Sequence, residues 1–377
     1  MPVWASMVAA ALLRVLFAGM TSREFTPNDV RVTFHTTGEL VLQGKDPLSH
    51  LPPGGGWNFL ELMPYIHALE IKTGWPWVYA DKIAPVVADV LVVWLVAQLV
   101  GSDGRTRALQ YAINPLSLLV VSLHGQVEPV ALAFGLGGIL LAKRDRWLLA
   151  GLLLGAAVSA KTWPVLIAIS IFPINRPREA LRLVEGIVVV PIAMLVSGIV
   201  FLDTHLVTAV RHIVSYSSYV DNWGWGGLVV TSGRTTAVGY NTTVGHIGSA
   251  LSAVAVVIVL VVFRDRPMEV RAMVVLSAFL VATAGFGTQY LLWPLPLMFA
   301  VGGIARFAYL ASATAWAGIA YLAHWPTLLE QGFLAGFSWL VIATLVWSIW
   351  EAYVNPVAPG ATTRPRARSR PAHLLRP

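Results

Sequence analysis

The sequence predicts an all-α, polytopic membrane protein with about ten to twelve transmembrane helices, and three observations point there. Of the 377 residues, 56% are hydrophobic and only 12% are charged. The mean hydropathy is +0.69. The apolar residues fall in runs, and the basic residues cluster in the short stretches between them. Such a chain suits a bilayer better than water.

Twelve apolar runs are candidates for the transmembrane helices. Several are shorter than the roughly 20 residues that a helix needs to cross the hydrocarbon, so we expect tilted, broken or re-entrant segments between residues 108 and 174. The runs are 3–20, 84–100, 108–123, 129–142, 147–160, 163–174, 183–202, 247–263, 272–284, 290–305, 307–322 and 333–350.

The basic residues predict the orientation of the chain. Each cluster follows an even-numbered run, and basic loops are retained in the cytoplasm. Both termini are therefore expected inside, and residues 21–83 and 203–246 outside. The clusters are Arg105 and Arg107; Lys143, Arg144 and Arg146; Arg176, Arg178 and Arg182; Arg264, Arg266 and Arg271; Arg306; and Arg364, Arg366, Arg368, Arg370 and Arg376.

We expect one membrane domain, residues 1–354, followed by a disordered, basic cytoplasmic tail, residues 355–377. The loop 21–83 is expected to carry short amphipathic helices at the membrane surface. The net charge of +7 comes from the loop clusters and the tail, which indicates contact with membrane lipids and no nucleic-acid partner.

Several kinds of chemistry are excluded by composition and motif. The chain has no cysteine, so thiolate catalysis and thiolate metal sites cannot occur. It also lacks a P-loop, a dinucleotide fingerprint and a His-Glu-x-x-His zinc motif. Because the polar segments open on the predicted outer face, where nucleotide sugars and ATP are lacking, an enzyme there would need a lipid-linked substrate.

The polar segments carry motifs in a recognisable order. After Arg14 in the first run come Asp29, Phe34 and a Gly44-x-x-Pro47 turn, an opening that resembles the membrane-embedded GT-C glycosyltransferases. Later segments resemble the mannosyltransferases of phosphatidylinositol mannosides and the GPI mannosyltransferase group. These segments are 114–116 (NPL), 124–128 (HGQVE), 161–164 (KTWP) and 288–296 (TQYLLWPLP).

The resemblance implies transfer of a sugar, mannose in particular, from a polyprenyl-phosphate donor to a lipid or glycan acceptor, with inversion. Such transfer needs a base for the acceptor hydroxyl, and Asp29 is the candidate. Asp29 could instead cap a helix or pair with Arg31.

The leaving lipid phosphate calls for a cation beside it. Lys161 is the first candidate, and Arg211 and Arg234 in the long outer loop are the alternatives. Lys161 could instead be an interfacial lysine that extends to the headgroups.

Sugar hydroxyls call for amide, carboxylate and aromatic side chains. His124, Gln126 and Glu128 are candidates for the sugar or acceptor, together with Gln289 and Tyr290 of the later motif. The first three could equally form a membrane-interface turn whose polar groups satisfy one another, with Pro129 opening the next helix.

No cofactor is expected, and a divalent metal is not favoured. Some relatives carry Asp-x-Asp, whereas this chain has Asn28, Asp29, Val30 and Arg31. A cation held by two neighbouring acids therefore lacks its second carboxylate.

Two other classes fit an all-helical polytopic chain. A transporter or lipid flippase would interrupt its helices with Pro and Gly and place charges near mid-span, but we find no inverted repeat. A non-enzymatic scaffold would not need an acid in the first outer loop.

Overall fold

The computed structural model describes residues 2–51, 57–214, 219–232, 239, 242–322 and 328–355. Within these ranges the chain is helical and has no β-strand; isolated bridges join Val220 to Gly239 and Gly285. The predicted all-α class is confirmed. Arg234 and nearly all of the predicted tail lie outside the described residues.

Nineteen α-helices are found in the described part of the chain, and two π-helices and one 3₁₀-helix lie between them. In chain order the α-helices are α1 Val3–Thr21, α2 His35–Leu42, α3 Pro47–His50, α4 Leu62–Lys72, α5 Trp77–Ala80, α6 Ile83–Val100, α7 Gly104–Ala112, α8 Pro115–Ser117, α9 Glu128–Lys143, α10 Trp147–Ala160, α11 Val165–Ile171, α12 Pro177–Phe201, α13 Leu206–Val214, α14 Gly224–Thr231, α15 Thr243–Val262, α16 Met268–Ala282, α17 Leu295–Val301, α18 Ala305–Leu322 and α19 Leu328–Val354. Asp29–Phe34 and Leu118–His124 are π-helical, and Thr288–Leu292 is a 3₁₀-helix.

Five helical segments of the described chain are long and apolar enough to cross a membrane. They are Val3–Thr21, Trp77–Val100, Pro177–Phe201, Thr243–Val262 and Gly332–Val354. Together with the all-helical fold, these segments make the chain a polytopic membrane protein.

Other apolar runs do not form single straight helices. In the run 163–174 the helix α11 has seven residues, and in the run 290–305 the helix α17 also has seven. The run 108–123 is interrupted where Asn114 caps α8 by accepting a 2.7 Å hydrogen bond from the Ser117 backbone N–H. The predicted total of ten to twelve spans therefore remains a prediction, because these broken segments are too short to be counted by length alone.

Glycines allow α10 and α12 to pack closely. A Cβ atom placed on Gly151 would lie 2.9 Å from the Cα atom of Gly186 on the other helix. On Gly155 it would lie 2.7 Å from the carbonyl oxygen of Ile187. Small residues at the contact are the usual means by which two membrane helices approach each other.

Arg14, which lies inside the first span, is fully buried and ion-paired with Asp89 of α6. Its Nε atom lies 2.5 Å from Asp89 Oδ2, and it donates to the Ala112 carbonyl at 2.7 Å. Tyr111 donates to the other Asp89 oxygen at 2.7 Å. A charge inside a membrane protein requires such partners, and this group ties α1 to α6 and α7.

The basic clusters meet at one end of the bundle, which we call the arginine end. Lys143 pairs with Glu269 at 2.8 Å and Arg176 with Asp145 at 3.0 Å. Lys143 also donates to the carbonyl of Leu99, near the last residue of α6. Loops that are far apart in sequence thus share this end, as the charge pattern predicts.

The other end of α6 carries Lys82, and there the polar segments meet. Eighteen residues of helix separate the two ends, which is about 27 Å at 1.5 Å per residue. We call this second region the site end. Which end faces the cytoplasm is not determined by the geometry and remains a prediction.

Candidate active site

Asp29 is the first residue of the π-helix Asp29–Phe34, soon after the first span ends. Its side chain is 39% exposed. The Oδ2 atom accepts a 2.5 Å hydrogen bond from Nε2 of Gln126, and Oδ1 accepts one of 3.0 Å from the Val30 backbone N–H. Arg31 donates instead to Asn28, at 3.4 Å. The carboxylate is thus oriented and still reachable, as a base must be.

The turn after the π-helix Leu118–His124 brings His124 and Gln126 to Asp29. His124 Nε2 lies 3.7 Å from Asp29 Oδ1. Gly125 makes this turn with a φ of +88°, and a Cβ atom there would lie 2.5 Å from Asp81 Oδ2. Glycine is required on both counts. The ring of His124 packs against Tyr321, with 4.8 Å between ring centroids.

Lys161 and Glu128 form a buried ion pair next to this turn. Lys161 ends α10 in an extended conformation, and its Nζ atom lies 3.1 Å from Glu128 Oε1. Glu128 is fully buried, and the Lys161 side chain is 9% exposed. The ammonium group also lies 4.8 Å from the centre of the Phe59 ring. Because of this burial and pairing, Lys161 does not extend outward to headgroups.

A cleft of about 250 Å³ opens beside Lys161, and we call it the lysine cleft. Aromatic rings form much of its wall, among them Phe59, Trp163, Tyr290 and Trp293. Tyr290 stacks on Trp293 with 4.1 Å between centroids. Of the two later candidates, Tyr290 therefore shares a cleft with Lys161. Gln289 is half-buried, packs against Gly287, and does not line this cleft.

Two neighbouring ionisable residues, Asp81 and Lys82, were not identified from the sequence. Both residues are buried just before α6, and the Lys82 ammonium donates to the Leu123 carbonyl at 3.0 Å. The charge of Asp29 acts on both. Lys82 therefore adds a cation close to Asp29. In the sequence, an acid and a lysine directly before an apolar run could have pointed to them. The same pattern occurs at the ordinary boundary between a loop and a helix.

The segment before α4 contributes a buried carboxyl group, Glu61. Burial, with a smaller contribution from the charge of Asp46, raises the pKa of Glu61 to about 7. Neither carboxyl oxygen has a hydrogen-bond partner among the described residues. A Cβ atom on Gly198 would lie 2.7 Å from Glu61 Oε1, so this group packs against α12.

The two arginines predicted as alternative phosphate partners do not join the site in the described chain. Arg211 is exposed on α13, a helix that contacts α3. No hydrogen bond or ion pair connects Arg211 with the described residues around Asp29 or Lys161. Arg234 lies outside the described residues.

No three His, Asp or Glu side chains come together as a metal-ion site in the described ranges. Asp29 contacts a histidine and an amide, and its charge acts on the buried carboxyl groups of Asp81 and Glu128. Hard divalent cations prefer several oxygen ligands. A reaction without a metal stays a prediction.

Comparisons with known proteins extend this picture. The model of glycosyltransferase family 87 matches residues 72–284, more than half of the chain. The match includes the turn 124–128 and Lys161 but ends before Tyr290, and it begins after Asp29. The chain is also 29% identical over 165 residues to GPI mannosyltransferase 1 of Eremothecium gossypii, which covers 42% of this chain and 39% of that protein.

These matches agree with the fold and with the motif order. The predicted resemblance to GT-C membrane glycosyltransferases is confirmed. The transporter and scaffold alternatives are not supported. The chain belongs to glycosyltransferase family 87 and is a membrane glycosyltransferase.

Proposed function

We propose that this glycosyltransferase moves a sugar, mannose in particular, from a polyprenyl-phosphate donor to a hydroxyl group of a lipid-linked or glycan acceptor. The main support is that the turn 124–128 joins one exposed, oriented carboxylate, Asp29, held by Gln126, to the buried cation Lys161, paired with Glu128. The charges of Asp29, Lys82 and Lys161 all act on His124 of this turn. The similarity to a GPI mannosyltransferase favours mannose.

In this proposal Asp29 removes the proton from the acceptor hydroxyl. The acceptor oxygen forms the new bond to the anomeric carbon, and the bond from that carbon to the phosphate oxygen breaks. Its electron pair stays on the phosphate. One displacement of this kind inverts the anomeric centre. Cations fixed beside the leaving oxygen stabilise its growing negative charge. Lys161 is the first candidate for this role, and Lys82 is the second.

The remaining candidates would bind and orient the sugar and the acceptor. Gln126 holds Asp29 and has a buried carbonyl oxygen without a partner in the described chain. His124 and Glu128 flank it along the same turn. Tyr290 offers an aromatic wall next to Lys161, and Gln289 precedes it in the chain. We assign no metal or other cofactor to the reaction.

Transfer from a panel of donors tests the proposal. Purified protein in detergent is given radiolabelled polyprenyl-phosphate mannose, polyprenyl-phosphate glucose or a nucleotide sugar, together with membrane lipid extract. We expect transfer from a polyprenyl-phosphate sugar alone. Transfer from a nucleotide sugar would contradict the donor class.

Asp29→Asn tests the base in the same assay. Loss of a positioned base lowers the rate by about 10² to 10⁴, whereas Glu39→Gln, which changes an exposed carboxyl group on α2, should retain turnover. Near-normal turnover of Asp29→Asn would remove Asp29 as the base.

We further propose that the site end faces the extracytoplasmic side, with both termini in the cytoplasm. Because the chain has no cysteine, a maleimide can react only with a single cysteine that is introduced. Its reaction therefore shows on which side of the membrane that residue lies. Lys45→Cys on the site end should react with an impermeant maleimide on intact cells, and Ser102→Cys on the arginine end should not. The reverse pattern would overturn the orientation.

A further inference from the structure

Two tryptophans of the lysine cleft have buried indole N–H groups without a hydrogen-bond partner in the described chain. Trp163 is 7% exposed and Trp293 is 2% exposed. Buried tryptophans usually donate to an acceptor. Trp223 donates to the Leu280 carbonyl, and Trp316 to that of Leu334, each at 2.9 Å. The indole N–H groups of the two cleft tryptophans, like that of Trp57 outside the cleft, thus have no acceptor among the described residues.

Both tryptophans are stacked with other rings of the cleft. Trp163 and Trp293 stack on each other with 4.5 Å between centroids and an angle of 14° between planes. Tyr290 stacks on Trp293 as well. This stacking covers one face of Trp163 and contacts Trp293 with two rings, but it uses neither indole N–H group. The polar edge of each indole remains.

The charge in this cleft is positive. Lys161 lines it, whereas its partner Glu128 does not and is fully buried. Among the described residues, no aspartate or glutamate lines the cleft. A lysine ammonium has three donors and no acceptor, and an indole N–H is also a donor only. Donors and one cation together suit an oxyanion.

Thr162 and Ser249 add hydroxyl groups to the wall, and its apolar part consists of Phe59, Val165, Leu166 and Phe279 beside the aromatic rings. At about 250 Å³ the cleft is smaller than the roughly 300–1,000 Å³ of sites for drug-sized ligands. It can therefore hold a phosphate group with the beginning of an attached hydrocarbon chain. A free polar anion would leave this apolar wall without a partner.

We propose that Trp163 and Trp293 donate their indole N–H groups to the phosphate of the lipid donor, beside Lys161, and so distinguish a polyprenyl phosphate from a polyprenol. This inference rests on the proposed donor class. Trp163→Phe and Trp293→Phe test it, because phenylalanine keeps an aromatic ring for stacking and removes the N–H. Trp316→Phe is the control, since it removes an indole hydrogen bond from another buried tryptophan, one that contacts its neighbouring rings edge to face.

The measurement is the affinity of full-length protein in detergent for a short polyprenyl monophosphate and for the matching polyprenol, with donor KM and kcat alongside. The melting temperature of each variant verifies its fold. Hydrogen bonds to charged groups are worth about tenfold or more in affinity. In each cleft variant the affinity for the polyprenyl monophosphate should fall about tenfold. The affinity for the polyprenol should equal that of the unmodified chain. Trp316→Phe should keep the preference.

Two results would overturn the inference and leave the proposed function intact. One is transfer by both variants with an unchanged donor KM and phosphate preference. The other is an equal loss of affinity for phosphate and polyprenol, which would make the tryptophans part of the apolar wall only. If the unmodified chain itself does not prefer the phosphate, the donor class fails, and the inference fails with it.

Discussion

Gln126 donates a 2.5 Å hydrogen bond to the carboxylate of Asp29 across 97 positions of sequence. This bond joins the segment after the first span to the turn after the π-helix Leu118–His124. The same turn leads directly to Glu128, which binds Lys161. One turn therefore holds both the candidate base and the candidate phosphate-binding cation in position.

Gln126→Leu should lower kcat by about a hundredfold, because a misplaced catalytic group can cost that much. The donor KM should change less than kcat, since the lysine cleft, which is proposed to bind the donor phosphate, is unaltered. Steady-state kinetics on purified protein measures both constants. Gln98→Leu is the control, because Gln98 lies at the arginine end and contacts Arg144. An unchanged kcat in Gln126→Leu would mean that Asp29 does not depend on this bond.

The fold class and several neighbours within the candidate site could be predicted because their signals are local. Apolar runs report burial in a bilayer, and the segment 124–128 carries its amide and acid within five residues. The partnership of Arg14 with Asp89 could not be predicted, because 75 positions separate the two residues and Asp89 sits inside an apolar run. Arg211 was selected as a phosphate partner because of its charge. The charge of a residue does not indicate which side of its helix faces the site.

The pair Asp81 and Lys82 was missed for a related reason. A charged dipeptide before an apolar run has the composition of a solvated loop end. Here both side chains are buried because the turn at Gly125 covers them. That contact depends on tertiary packing, which no local pattern records.

Lys161→Met should destabilise the protein and abolish transfer, because removing one partner of a buried ion pair costs about 3–5 kcal/mol. The double variant Lys161→Met with Glu128→Leu should regain the melting temperature and remain inactive. Lys161→Arg should keep part of the turnover, since it keeps the charge and changes its geometry.

Lys143→Met is the control for this prediction, because it breaks the Lys143–Glu269 pair at the arginine end. It should leave turnover unchanged. If the double variant Lys161→Met with Glu128→Leu transferred sugar at a near-normal rate, the reaction would not need the Lys161 cation.

Transfer should continue in excess EDTA. Asp29 has no second carboxylate beside it in sequence, and a bound divalent cation would lower the pKa of a free base and weaken it. The assay compares initial rates with and without EDTA and then with added Mn²⁺. Arrest by EDTA with rescue by Mn²⁺ would contradict a metal-free reaction, and Glu128 or Glu39 should then be examined as the missing ligand.

Glu61 should make the stability of the protein depend on pH. Burial, and then the charge of Asp46, raises the pKa of Glu61 from 4.5 to about 7 in the folded protein. Below pH 4.5 both folded and unfolded chains hold the proton, so the group has no effect. Between that pH and about 7 only the folded chain keeps the proton, so stability falls as the pH rises.

Above pH 7 the loss is complete and amounts to about 3 kcal/mol, from 1.36 kcal/mol per pKa unit. Glu61→Gln has no carboxyl group to ionise, so its melting temperature should not fall between pH 5 and pH 8 as that of the unmodified chain does. At pH 8 the variant should therefore be the more stable protein. Glu24→Gln, which alters an exposed carboxyl group, should follow the unmodified chain throughout. A melting curve of Glu61→Gln that keeps the full pH dependence would assign that dependence to another group.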